Sequence, residues 1–93
     1  MMMRREKPWY VYILECGDGT LYTGATNDVE RRLEAHIAGK GAKYTKGRRP
    51  LRLVYTEECT SCSQALSREC AIKKMTRSEK YHLIQSRNTL QTD

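Results

Sequence analysis

The stretch from residue 9 to residue 37 constrains this chain more than any other. Trp9-Tyr10-Val11-Tyr12-Ile13-Leu14 is a run of aromatic, β-branched and aliphatic side chains, the types that suit a pleated, half-buried strand. Pro8 fits the entry to that strand, because it has no N–H to donate and restricts the residue before it. Gly17-Asp18-Gly19-Thr20 supplies hairpin turn chemistry. A strand is therefore expected over Trp9–Cys16 and its partner over Leu21–Ala25. Side chains alternate along a strand, so Tyr10, Tyr12 and Leu14 share one face while Trp9, Val11 and Ile13 share the other. Both faces are apolar or aromatic, which predicts a central strand covered on both sides.

A helical pattern follows from Asn27 to Ala38. Thr26 or Asn27 can cap it, and Asn27 with Glu30 fits a capping box. Asp28 and Glu30 sit where the helix dipole favours acids. Val29, Leu33 and Ile37 recur every fourth residue and give the expected buried stripe. Gly39 ends the helix. Arg32 and His36 fall on the same broad face as that stripe. An arginine there needs a partner or a function, because burying an unpaired charge is costly, unless it sits at the edge and snorkels to water. His36 is equally open between a satisfied core histidine and a catalyst.

Residues 39–50 hold five basic residues, three glycines and no acid, and read as a flexible basic loop. Leu51–Thr56 alternates and gives a third strand; Cys59–Ser63 reads as a turn. Ser61 or Ser63 caps a helix to about Met75. Ala65, Leu66 and Ile72 are its apolar residues, and Glu69 lies toward their side. That carboxylate either pairs with Arg32 or a loop lysine, or binds a metal through oxygen. Thr76 and Glu79 form another capping box, opening a last helix through about Gln85. Residues 1–8 read as a disordered lead-in, 9–85 as the folded domain and 86–93 as a frayed tail. The order β-β-α-β-α-α implies an α+β domain, a small three-stranded antiparallel sheet flanked by helices.

Ninety-three residues make one domain. The net charge of +6 favours polyanionic partners. Nucleic acid leads over an anionic membrane, because no basic helix carries the broad apolar face of a membrane anchor. No stretch approaches the ~20 apolar residues of a membrane span, and the charged N-terminus lacks an apolar signal core. The expected location is the cytoplasm, with the four cysteines as reduced thiols. Cys59-x-x-Cys62 has no second pair, so no zinc is expected. Cys16 and Cys70 are expected as small core residues.

Tyr10-Val11-Tyr12, then Tyr22-Thr23-Gly24, then Asp28 to His36 resemble the GIY-YIG nuclease superfamily. The stretch Ala65-Leu66-Ser67-Arg68-Glu69-Cys70-Ala71-Ile72-Lys73 is similar to the family helix that carries a metal-binding glutamate. Gly39–Thr45 resembles the loop of the small single-domain bacterial branch. The resemblance spans residues 9–85. It implies the GIY-YIG fold and a metal-dependent endonuclease that hydrolyses phosphodiester bonds in nucleic acid, DNA in the first instance. It also implies a catalytic set of Tyr12, Tyr22, Arg32, His36 and Glu69, with Glu69 holding a divalent metal, Mg²⁺ or Mn²⁺. Gly24 matches the glycine of the second motif. Tyr10 replaces the first glycine of the family pattern, Thr23 the central isoleucine of the second motif, and Ala25 stands where many nuclease members carry a basic residue. These departures bear on catalytic rate rather than on fold.

The residue types suit that chemistry. Hydrolysis needs a deprotonated water and neutralised charge on the phosphoryl oxygens. Arg32 can donate two hydrogen bonds to a phosphate and stays charged. Tyr12 is the expected proton acceptor, directly or through water, with Tyr22 and His36 orienting the water or relaying the proton. Lys40, Lys43, Tyr44, Lys46, Arg48 and Arg49 have the composition of a phosphate-tracking segment. The alternative is a nucleic-acid-binding module with weak or no cleavage.

Overall fold

The computed structural model describes residues 8–91, and its central element is the strand Trp9–Glu15, β1. It pairs antiparallel with Leu21–Thr26 (β2) on one side and Arg52–Cys59 (β3) on the other, in the order β2-β1-β3. The central position expected from two apolar faces is the one observed: Val11, Tyr12, Ile13 and Leu14 are each 2% exposed or less. The hairpin closes on Gly19, whose φ of +85° is open to glycine and costly for most other residues. The Asp18 carboxylate ties that turn by accepting from the Thr20 N–H at 3.1 Å and the Thr20 hydroxyl at 2.6 Å.

Three helices follow: Val29–Ile37 (α1), Cys62–Lys73 (α2) and Arg77–Gln91 (α3). The caps are local and specific. Ser61 caps α2, accepting from the Gln64 N–H at 3.0 Å. Thr76 and Glu79 form the expected reciprocal box, with the Thr76 N–H donating to Glu79 at 2.8 Å and the Glu79 N–H to the Thr76 hydroxyl at 3.1 Å. At α1 the cap is Asp28, not Thr26 or Asn27: its carboxylate accepts from the Arg31 N–H at 3.2 Å. Thr26 instead accepts from the Asp28 N–H, which holds the strand-to-helix turn. β3 runs on to Cys59, through the start of the expected turn, and α3 runs on past Gln85 to Gln91. Most of the expected lead-in, residues 1–7, and the end of the tail, residues 92–93, lie outside the described residues.

Two stripe assignments change, for one geometric reason. Successive helical residues point about 100° apart. His36, fully buried, is near the centre of the inward face of α1, and Ile37 is one step round at 42% exposure. On α2, Ala65 and Ile72 are fully buried and Leu66, one step from Ala65, is 52% exposed. Cys70 lies further round the same helix and is exposed, whereas Cys16 is buried as expected.

α2 and α3 cover the sheet face that carries Val11 and Ile13. The core there is Val11, Ile13, Tyr55, Cys59, Ala65, Ile72 and Ile84, with Trp9, Leu21, Met75 and Leu83 packed around it. Each large aliphatic side chain buried in this way contributes about 1.5–3 kcal/mol. Among the described residues, no helix is long and apolar enough to cross a membrane.

Candidate active site

The opposite face of the sheet holds Tyr12. In the β1–β2 register Tyr12 stands across from Gly24, and its phenol lies over that glycine. A Cβ on Gly24 would overlap the Tyr12 hydroxyl. The glycine of the second motif is therefore a matter of space: it makes the slot for the tyrosine of the first. The Tyr12 hydroxyl is 2.9 Å from His36 Nε2. The ring of His36 lies in turn against Gly41, where a Cβ would overlap its Nδ1.

Nδ1 of His36 is 2.8 Å from the hydroxyl of Thr45. That hydroxyl is 3.0 Å from the Ala42 carbonyl, to which it can donate, and the Ala42 N–H points at Nδ1 from 3.4 Å. Tyr12, His36 and Thr45 are 2%, 0% and 1% exposed, so the line of contacts lies beneath the surface. Thr45 was not among the residues singled out from the sequence. Its signal there is that it closes the Gly39–Thr45 stretch, nine residues after His36, that resembles the loop of the small single-domain branch.

The loop that brings Thr45 is docked rather than flexible. It contains a short 3₁₀ turn, Lys43–Thr45. The Tyr44 ring packs 5.7 Å from that of Tyr22, and the Arg48 guanidinium lies 4.3 Å from the centre of the Tyr44 ring. Arg48 also pairs with Asp18 of the hairpin turn and donates to the Tyr44 carbonyl at 2.7 Å. Arg49 donates to the Ile37 carbonyl at 3.0 Å, and the Gly17 N–H donates to the Arg48 carbonyl at 2.7 Å. Lys40, Lys43, Tyr44, Lys46 and Arg49 are exposed on this docked loop, and Arg48 is half-buried.

Tyr22 joins the two buried rings to the surface. Its ring centre is 6.4 Å from that of Tyr12 and 5.3 Å from that of His36, the latter edge to face. Tyr22 and Arg32 are both half-buried. Burial pushes the Tyr12 hydroxyl above its ordinary pKa; the nearby Arg32 guanidinium pulls the other way, while Tyr22 and Glu69 add to the rise. Burial also holds His36 below its ordinary value, with help from the Arg32 charge. At neutral pH the pair is therefore an uncharged phenol against an uncharged imidazole.

Glu69 approaches from α2, which packs over β2 as well as β1. Its carboxylate is 3.0 Å from the Lys73 ammonium, one turn along, and its side chain is only 17% exposed. The ion pair expected with Arg32 or a loop lysine is thus made within the helix instead, because the i,i+4 spacing brings Lys73 to the same side. The hydrogen bond that Lys73 donates to the Glu69 carboxylate raises the Lys73 pKa, and Tyr22 adds to that rise. Among the described residues no three His, Cys, Asp or Glu side chains gather as a metal cage. One half-buried carboxylate beside open surface suits a hard cation that keeps most of its water, as Mg²⁺ does. It does not suit a four-ligand structural zinc.

Known proteins resemble this chain in sequence and in fold. A family model described as the GIY-YIG catalytic domain matches residues 8–82. A UPF0213 protein of Syntrophus aciditrophicus is 60% identical over 76 residues, covering 81% of this chain and 87% of that protein. One of Streptococcus sanguinis is 54% identical over 82 residues, covering 88% and 94%. The solution structure of protein EF2693 from E. faecalis superposes with a TM-score of 0.60 at 38% identity, covering 98% of this chain and 94% of that one.

Proposed function

Because the chain belongs to the GIY-YIG catalytic-domain family, we propose that it is a metal-dependent endonuclease that hydrolyses phosphodiester bonds in DNA, in the cytoplasm. One observation carries this reading. Residues from β1, β2, α1 and α2 converge on one buried phenol: Tyr12 is bonded to His36, the Tyr22 ring packs against both, and Arg32 and Glu69 lie near enough to bear on the Tyr12 hydroxyl.

In this proposal the substrate meets Tyr22, Arg32 and Glu69, while Tyr12 and His36 work beneath them. Arg32 binds and orients a non-bridging phosphate oxygen. Glu69 holds a divalent cation, which when bound supplies charge neutralisation to the phosphoryl oxygens. Tyr12 takes a proton from the attacking water, directly or through one intervening water, and passes its own to His36 Nε2. A phenol alone is a poor base at neutral pH, since its unperturbed pKa is ~10; a neutral imidazole at hydrogen-bond distance gives its proton somewhere to go. Tyr22 orients the water. The exposed lysines and arginine of the docked loop track the backbone beside the cut, which gives affinity and salt dependence but little sequence choice.

A second reading, a binding module with weak or no cleavage, draws on Ala25 and on the burial of Tyr12. A nicking assay on branched, single-stranded and duplex DNA with Mg²⁺ or Mn²⁺ separates the two. The nuclease reading expects Arg32→Ala and Glu69→Gln each to lower the rate by about 10²–10³-fold, the cost of removing a group that stabilises transition-state charge, with unfolding midpoints unchanged. Wild-type protein that binds DNA with a steep salt slope but never cuts supports the binding module. Protein that does neither overturns both.

A further inference from the structure

Thr45 is 1% exposed, in a loop whose basic residues Lys40, Lys43, Lys46 and Arg49 all face outward. Its hydroxyl nevertheless reaches the inner nitrogen of the site's one histidine. A hydroxyl has one proton and two lone pairs. Here the proton has an acceptor, the Ala42 carbonyl at 3.0 Å, which leaves the lone pairs facing His36 Nδ1 at 2.8 Å. A neutral imidazole has one N–H, and the partner of one nitrogen decides which nitrogen carries it. We propose that Thr45 is a positioning residue: by accepting from Nδ1–H it fixes His36 in the tautomer whose Nε2 is free to take the Tyr12 proton.

The competing partner makes the proposal sharp. The Ala42 N–H, 3.4 Å from the same Nδ1, can only donate, and so favours a proton on Nε2. It is beyond the usual range for such a bond, while the Thr45 contact is within it. With the Thr45 hydroxyl present, the three short contacts run in one direction: Tyr12 O–H to His36 Nε2, His36 Nδ1–H to Thr45, Thr45 O–H to the Ala42 carbonyl. Remove the hydroxyl, and the Ala42 N–H is the one polar neighbour left to Nδ1 among these contacts. The ring should then take the other tautomer, and Nε2 would present an N–H to Tyr12 instead of a lone pair. Because Gly41 lets the loop backbone close against the ring, loop docking and tautomer choice are one event. The catalytic value of this arrangement rests on the reading of Tyr12 and His36 as a proton-transfer pair; the tautomer does not.

The test is nitrogen NMR of the two histidine rings in metal-free, ¹⁵N-labelled full-length protein at about pH 8, with His82→Gln used to assign His36. Wild type and Thr45→Ser are expected with the proton on Nδ1. Thr45→Val, which keeps the volume and loses the hydroxyl, is expected to exchange the positions of the two nitrogen resonances. A wild-type ring protonated on Nε2, or averaged between tautomers, overturns the proposal, and that measurement needs no variant to fold. A folded Thr45→Val with the wild-type tautomer overturns it too. In the nicking assay Thr45→Val should lose about 10²-fold or more, the low end of what general acid–base catalysis supplies, and Thr45→Ser should restore it. Absence of cleavage in every form would count against the nuclease reading and leave the tautomer result standing.

Discussion

On one face of the sheet Val11 and Ile13 meet Ala65, Ile72 and Ile84; on the other Tyr12 meets Gly24 and His36. These side chains alternate along the same strand, and all are buried or nearly so. The first face is held by apolar area, which is non-directional and tolerates any close-packed filling of similar volume. The second is held by a polar line: the phenol on one imidazole nitrogen, the loop hydroxyl on the other, and two glycines that leave room for the rings. Burying polar groups costs stability unless each is paired. The second face is therefore where a small change of chemistry matters more than a change of volume. The two faces also differ in reach. The apolar face is closed by the two helices at the end of the chain, the polar one by α1 and a loop whose Arg48 clasps the hairpin turn at Asp18.

The largest break in this contrast should come from the apolar side. Ile72→Ala removes most of a fully buried side chain and is expected to cost about 2–5 kcal/mol, as core truncations of this kind do, measured by urea unfolding at constant slope. The residual folded protein should bind DNA as wild type does. Next is Gly24→Ala on the polar side. The added methyl would meet the Tyr12 hydroxyl, and overpacking of this kind costs about 1–3 kcal/mol. Unlike the Ile72 change, it should also displace the phenol from His36, so cleavage should fall in protein shown to be folded. Equal activity in folded Gly24→Ala would mean that Tyr12 need not sit where it does.

The smallest effect is one that only the polar face should show. In the unfolded chain an imidazole titrates near 6.5, and in the folded protein burial holds His36 below that. Between the two values the unfolded chain binds more protons. Stability therefore falls as pH drops through about 6.5 and goes on falling until the folded value is passed. Denaturation midpoints should be lower at about pH 5.5 than at about pH 7.5, and His36→Gln should flatten that difference. A wild-type midpoint that does not move over this range would show that His36 titrates normally.

Much of this architecture is written in short-range chemistry. The run of β-formers with two apolar faces specified the central strand, Gly17–Thr20 the hairpin, Ser61 and the Thr76–Glu79 pair their helix starts. The same residues carried the resemblance to the GIY-YIG superfamily. Local pattern went wrong where two candidates lay one residue apart. Asn27 and Asp28 can both cap a helix, and only the path of the chain out of β2 selects Asp28. Ile37 and Leu66 are apolar and on stripe, yet each is one helical step outside the contact with the sheet.

What the sequence determined by itself is the set of elements and the candidate residues, because strand alternation, turn glycines and caps act over a few residues. Tertiary structure alone decided their partners. It set the Tyr12 hydroxyl against His36, and turned an apparently flexible basic loop into a docked one. It also drew in Thr45, to which the sequence alone assigned no role, to the inner face of His36. The physical reason is that a buried polar group must be matched by whatever donor or acceptor the closed fold brings within about 3 Å. That partner is set by how distant segments pack, not by its neighbours along the chain. Tyr12 and His36 could be named from the chain; that they sit beneath the surface, facing each other, with a threonine behind them, belongs to the fold.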